Sequence, residues 1–274
     1  MTDARHPGGT VFTVVTRFAS ALATLPVWLS ALLVIAGLPL LVAGFQAMVR
    51  RHFPVLRKRQ HNDVAGFLLA VIGVIYAVSA GFILIDQHEN RSEAKDTARS
   101  EAVSVMAVAQ AGQVMGEQAQ RRITERALAY ERAVVASWPP GEGSTDVPAR
   151  ALERLVAEIA ALRPVGQAQE AFVWESTREL MEVGTAHQSL HLEAREGYLD
   201  SMLWAAILIS SAATLAFCLL FGLENARLHY LMVAGVAIVV AVNLFLMVQL
   251  SNPFRGDLSV QPDPHRHVIR ELER

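Results

Sequence analysis

Few residues in this chain have the types and spacing that chemistry needs. His187 and His191 lie four apart on a helix-patterned stretch, a separation at which two imidazoles can grip one metal ion. The residues between them are Gln188, Ser189 and Leu190, so the HExxH pattern of a metalloprotease is missing, and no third ligand stands at a fixed spacing. The pair is a weak metal candidate and a solvated pair is the plainer expectation. There is no glycine-rich phosphate loop, no GxSxG elbow and no CxxC pair. Cys218 is the single cysteine, set inside an apolar run, so neither a disulfide nor a thiol-based redox centre is expected. No catalytic residue, cofactor or enzymatic activity is expected.

The remaining chemistry is that of neutral polar groups within apolar runs: Tyr76, Ser79, Ser210, Ser211, Thr214, Asn243 and Gln249. Asn243 suits an interhelical hydrogen bond, with a pore-lining dipole for an anion as the sharper alternative. Acid and base groups are absent from these runs, which counts against a proton relay or a coupled-ion site. A second pattern is the ladder Gly66, Ala70, Gly73, Ala77 and Gly81, whose spacings keep small residues on one helical face. Such a face lets backbones approach closely. Packing against another span of the same subunit is the expected use, and a subunit contact or a narrow pore wall is the alternative. The ladder with Tyr76 and Asn243 forms the candidate pore or helix-packing face.

The elements that must position these residues are four apolar runs without Asp, Glu, Lys or Arg, from Pro26 to Val49, Val64 to Ile85, Ser201 to Leu223 and Tyr230 to Leu250. A bilayer core takes about 20 helical residues to cross, so each run is long enough. Trp28 suits an interfacial anchor and Pro39 a kink tolerated among neighbouring helices. Asn62 or Asp63 can cap the second span. The first run is too long for the apolar core of a signal peptide and a double arginine follows it, so it reads as a retained anchor.

Between the pairs of runs lies a polar, helix-patterned insert. Glu89 to Ser137 contains no proline, and Gly112 and Gly116 make a bend or hairpin plausible. A loop follows over Trp138–Ser144, then a short helix capped by Asp146 with Leu152, Leu155, Ile159 and Leu162 on one stripe. A last helix is expected over Gln167–Tyr198. The whole is therefore an all-α polytopic membrane protein. Its parts are an N-terminal tail (1–25), helices 1 and 2 with a basic cytoplasmic loop (26–85), an extracytoplasmic helical insert (86–200), helices 3 and 4 (201–250) and a C-terminal tail (251–274).

Charge supplies the orientation. The first link holds Arg50, Arg51, Arg57, Lys58 and Arg59 against Asp63 alone, and arginine-rich short loops stay cytoplasmic. The N-terminus and the insert are then outside. A net charge of −2 leaves no basic footprint for nucleic acid. Of 24 basic residues only Lys58 and Lys95 are lysines, a composition that suits a GC-rich bacterium and hence its inner membrane.

Several segments together look familiar. His61-Asn62-Asp63-Val64-Ala65-Gly66-Phe67 with Val74-Ile75-Tyr76-Ala77-Val78, the pair Trp138-Pro139, Leu228-His229-Tyr230-Leu231-Met232, and Asn252-Pro253-Phe254-Arg255-Gly256 are the carriers. Over residues 50–264 the chain resembles the bacterial bestrophin-like family of four-helix membrane proteins. The resemblance implies kinship to bestrophins, which are homopentameric anion channels. Where bestrophins carry an acidic run that clasps calcium, this chain has Arg255 and a single acid, Asp257, so calcium gating is not expected. The function expected is a homo-oligomeric, passive anion channel in the lipid bilayer. The alternative is a non-conducting sensor or scaffold whose external bundle binds a ligand or partner.

Overall fold

The computed structural model describes residues 25–52, 62–141, 146–196, 199, 201–219, 225–251, 253–254, 256 and 259–274. The N-terminal tail, the basic link from 53 to 61 and Asn252 lie outside the described residues. So do the side chains of Asn62, Asp63 and Asp146, and with them the expected caps. Among the described residues all regular structure is helical: α1 (Val27–His52), α2 (Asn62–Ala111), a 3-10 turn (Gly112–Met115), α3 (Glu117–Ala136), α4 (Asp146–Ala160), α5 (Gln167–Glu196), α6 (Ser201–Leu219), α7 (Ala226–Leu250) and α8 (Asp263–Leu272). Four of them, α1, α2, α6 and α7, are long and apolar enough to cross a membrane.

The chain divides into two compact units, one of residues 1–89 and 198–258, the other of residues 90–197 and 259–274. Helix α2 is continuous over 50 residues and contributes its apolar first half to the first unit and its polar second half to the second.

In the first unit α1 packs chiefly on α7, and α6 packs on α7 as well. Val42, Tyr76, Ala80, Trp204, Ile207, Val233, Ala237, Val240 and Met247 form its core. Because α1 and α7 run antiparallel, polar side chains meet at both ends of the pair. Gln249 donates to Ser30 at 3.0 Å at one end, and Arg50 donates to Nδ1 of His229 at 2.9 Å at the other. An arginine can only donate, so Nδ1 accepts, and the proton on Nε2 of His229 faces the Cys218 carbonyl at 3.3 Å. One imidazole thus ties α1, α6 and α7 together. Helix α7 starts at a cap that the sequence reading did not use: Asn225 accepts from the amides of Arg227 and Leu228 at 3.1 and 3.3 Å. The α1 helix runs unbroken through Pro39.

In the second unit the hairpin foreseen at the two glycines is present. The 3-10 turn begins at Gly112, where a Cβ would meet the Ile123 side chain at 3.1 Å, and the chain reverses at Gly116, whose φ of 87° favours glycine. Helix α3 then folds back on α2, so that Val105, Val108 and Ala109 meet Ile123, Ala127 and Tyr130. Leu155 and Ile159 close the core from α4, and Leu180 and Val183 from α5. The segment expected to be a simple C-terminal tail contains α8, which packs on α3 and belongs to this unit.

Candidate functional site

The first half of α2 presents two different faces. Tyr76 and Ala80, one turn apart, are buried against the other spans. Ser211 of α6 and Asn243 of α7 face the Tyr76 hydroxyl, and Asn243 also donates to the Val239 carbonyl one turn back at 3.2 Å. The small-residue ladder borders this contact and is not covered by it. Ala70 and Ala77 are exposed, Gly66, Gly73 and Gly81 are only partly covered, and among the described residues nothing beyond the adjoining helix backbone lies within 4 Å of where a Cβ on Gly73 or Gly81 would sit. Within this one subunit no other span covers the ladder. Helix α2 uses the larger Tyr76 and its neighbour Ala80 for that contact and leaves the smooth face open. The structure thus parts the candidate set, with Tyr76 and Asn243 on the packed side and the ladder on the open side.

Large apolar side chains flank the ladder. Phe67, Val71, Val74, Val78 and Phe82 are all exposed on α2. Of the most apolar stretch of α2 only 11% is buried, against 39% in α6. Among the family-motif residues, Phe254 is buried and Gly256 takes a φ of 82°, a conformation suited to glycine after the fourth span; Pro253 is buried beside it. His61 and Asn252 lie outside the described residues.

The second unit holds a buried polar cluster that spacing alone could not assemble. Glu101 of α2 is 1% exposed, and its Oε1 accepts from the Tyr130 hydroxyl at 2.6 Å and from Nδ1 of His187 at 3.1 Å. The His187 and His191 rings stand edge to face with centroids 4.7 Å apart. Nδ1 of His191 accepts the Gly141 amide at 3.0 Å, which puts the ring proton on Nε2. A ring in that tautomer has no lone pair left for a metal, so His191 fits a structural hydrogen bond. Among the described residues no group of three or more His, Cys, Asp or Glu side chains is placed to hold a metal ion. A cavity of about 370 Å³, lined by Leu152, Gly184, His187, His191 and Arg195, opens beside the two histidines.

A second buried pair lies nearby, with Nδ1 of His265 at 2.7 Å from Oε2 of Glu131 and both side chains fully buried. Burial shifts these groups in the directions expected when charge loses water. It raises the Tyr130 phenol well above its usual range, helped by the negative Glu101 and the bond to it. It lowers His191, with the neighbours His187 and Arg195 acting in the same sense. It pushes Glu131 up to about 7, the bond from His265 pulling the other way. Burial would lower His265, but the bond to Glu131 and its charge outweigh that and raise it.

Comparison with known proteins follows the same outline. A family model described as the bestrophin-like domain matches residues 36–265. The fold is similar to that of a bacterial bestrophin homolog from Klebsiella pneumoniae, solved as several single-substitution variants. One has a TM-score of 0.69 at 13% identity, covering 89% of this chain and 99% of the homolog. Another has a TM-score of 0.68 at 14% identity, covering 90% and 96%. A further crystal structure, of a membrane protein, gives a TM-score of 0.64 at 17% identity, covering 87% and 96%. Among curated protein sequences none matches the chain.

Proposed function

The chain belongs to the bestrophin-like family, and from that premise we propose that it is a passive anion channel assembled from several copies of itself. The observation that carries this reading is the open face of α2. A span with 11% of its most apolar stretch buried, and with nothing packed over Gly73 or Gly81 of its ladder, leaves a surface for lipid or for a second copy. Four spans rarely enclose a pore within one subunit, so a conduction path would run along a symmetry axis between copies. Small residues there bring backbone close to the axis and leave room for an ion. The absence of Asp, Glu, Lys and Arg from the uncharged run of α2 suits passive flow without ion coupling.

The test is chloride flux from liposomes containing the purified protein, compared with empty vesicles. Flux above the control, abolished by Gly73→Trp while the protein stays folded, is the expected outcome. No flux from a well-folded oligomer at any pH, calcium level or voltage would overturn the reading.

One observation favours a second function. The cavity beside His187 and His191 sits within a bundle that has its own core, which suits ligand binding by a non-conducting sensor or scaffold. Such a protein would show ligand-dependent thermal stability and no flux.

A further inference from the structure

Helix α8 is joined to the second unit by a contact of unusual chemistry. Its His265 and the Glu131 of α3 are both fully buried and 2.7 Å apart. The Trp138 ring lies against His265 with centroids 6.1 Å apart, and its Nε1 donates to the Val260 carbonyl at 3.0 Å, just ahead of α8. Val268 is buried on the same helix, and Leu272 packs on the second core. At the rim, Arg132 of α3 meets Glu273 at 2.7 Å with both side chains about half exposed. We infer that the Glu131–His265 pair is a proton-operated latch, which holds α8 on the bundle while it keeps its shared proton and frees the helix when that proton leaves.

The groups facing the pair come from three helices. Glu101 looks in from α2, Tyr130 lies beside Glu131 on α3, and His265 belongs to α8. Farther out, Arg132–Glu273 and Asp263–Arg266 are solvent-facing ion pairs. With one proton the pair is neutral overall, either as carboxylate and imidazolium or as carboxyl and imidazole. Without it, a net negative charge is sealed in beside Glu101, and an uncompensated buried charge is strongly destabilising. Oε1 of Glu131 and Nε2 of His265 are buried with no protein hydrogen-bond partner among the described residues.

The sign follows from both partners. Glu131 goes up from 4.5 to about 7 on docking, and His265 is raised above 6.5. The docked form therefore holds more protons than the undocked form. Docking tightens as the pH falls toward the ordinary carboxyl range and weakens as the pH rises through about 7. This latch is independent of the anion-channel reading, since it concerns the attachment of α8 alone.

Hydrogen exchange on the full chain in lipid nanodiscs tests it. The amides of α8 are followed from roughly pH 5.5 to 8.5, with the intrinsic pH dependence of exchange divided out. The opening of α8 should rise with pH, by up to roughly tenfold per unit for each proton released. Glu131→Gln should flatten the slope and keep α8 protected at the alkaline end. Arg132→Gln, a rim control, should keep the slope. A flat wild-type profile, or an undiminished slope in Glu131→Gln, overturns the latch. Should Glu131→Gln disturb the bundle, seen as lost protection in α4, His265→Gln replaces it, and a persisting slope there overturns the proposal equally.

Discussion

Two hydrogen bonds converge on a single oxygen of Glu101, a side chain only 1% exposed in its helical bundle. A buried charge is tolerated when donors surround it and costs heavily when one is withdrawn. Tyr130→Phe removes the 2.6 Å bond and should destabilise the protein by about 1–3 kcal/mol, read as a lower melting temperature in detergent. Arg178→Ala is the contrasting case. Its ion pairs with Glu175, Glu179 and Glu182 lie at the surface of α5, where solvent screens them, so the melting temperature should stay unchanged. Only part of this chemistry was legible beforehand. The i, i+4 spacing singled out His187 and His191, but their partners Glu101 and Gly141 are 86 and 50 residues away in the chain. Glu131 and His265, separated by 134 residues, gave no local signal at all.

Helices were far easier to read than their partners, because bilayer thickness and the helical period act within one stretch of sequence. The first apolar run returned as Val27–His52 and the fourth as Ala226–Leu250, within a few residues of expectation. The last insert helix begins at Gln167, as its pattern indicates, and is described to Glu196. Two glycines left bend and hairpin open, and contact between α2 and α3 decided for the hairpin. Helix α8 was overlooked. Ten residues preceded by Pro262 and carrying Pro264 in their first turn resemble a loop, although proline in a first turn beside Asp263 is also a helix-start signal, and Val268 and Leu272 share a face. The reversal at Gly116 makes its own prediction. An alanine there must adopt a φ near 87°, so Gly116→Ala should cost on the order of 1 kcal/mol or more. Gly184→Ala, at a helical position with ordinary contact to Leu152 at 3.4 Å, should cost less in the same thermal measurement.

At the scale of the whole molecule, membrane residence was legible and the assembly was not. Four runs without charge can only be housed in a bilayer, whereas a face such as that of α2 looks the same in sequence whether it meets lipid or protein. We expect a defined homo-oligomer in mild detergent, measured by light scattering, and its dissociation by Gly73→Trp or Gly81→Trp. A monomer in every detergent would sink the shared-axis pore. Orientation is to be tested in the same spirit. The arginine-rich link supports an inside location for residues 50–63, so with Cys218 replaced by alanine, a cysteine placed at Gln60 should resist a membrane-impermeant thiol reagent in whole cells while one at Gln188 reacts. The reverse labelling would put the insert in the cytoplasm.

The second unit is assembled from two stretches of chain, residues 90–197 and 259–274, with two membrane spans coming between them. A ribosome delivers the first stretch well before the second. Chains fold as they emerge, the earlier parts first, so the bundle of α3, α4 and α5 must wait, with the Glu131 pocket uncovered, until the third and fourth spans have entered the bilayer. Docking of α8 then follows the entry of both spans and reports that they have been inserted. A chain stopped at Pro262 would keep every span yet carry an unsealed bundle, and pulse-chase labelling should find it cleared faster than the full chain.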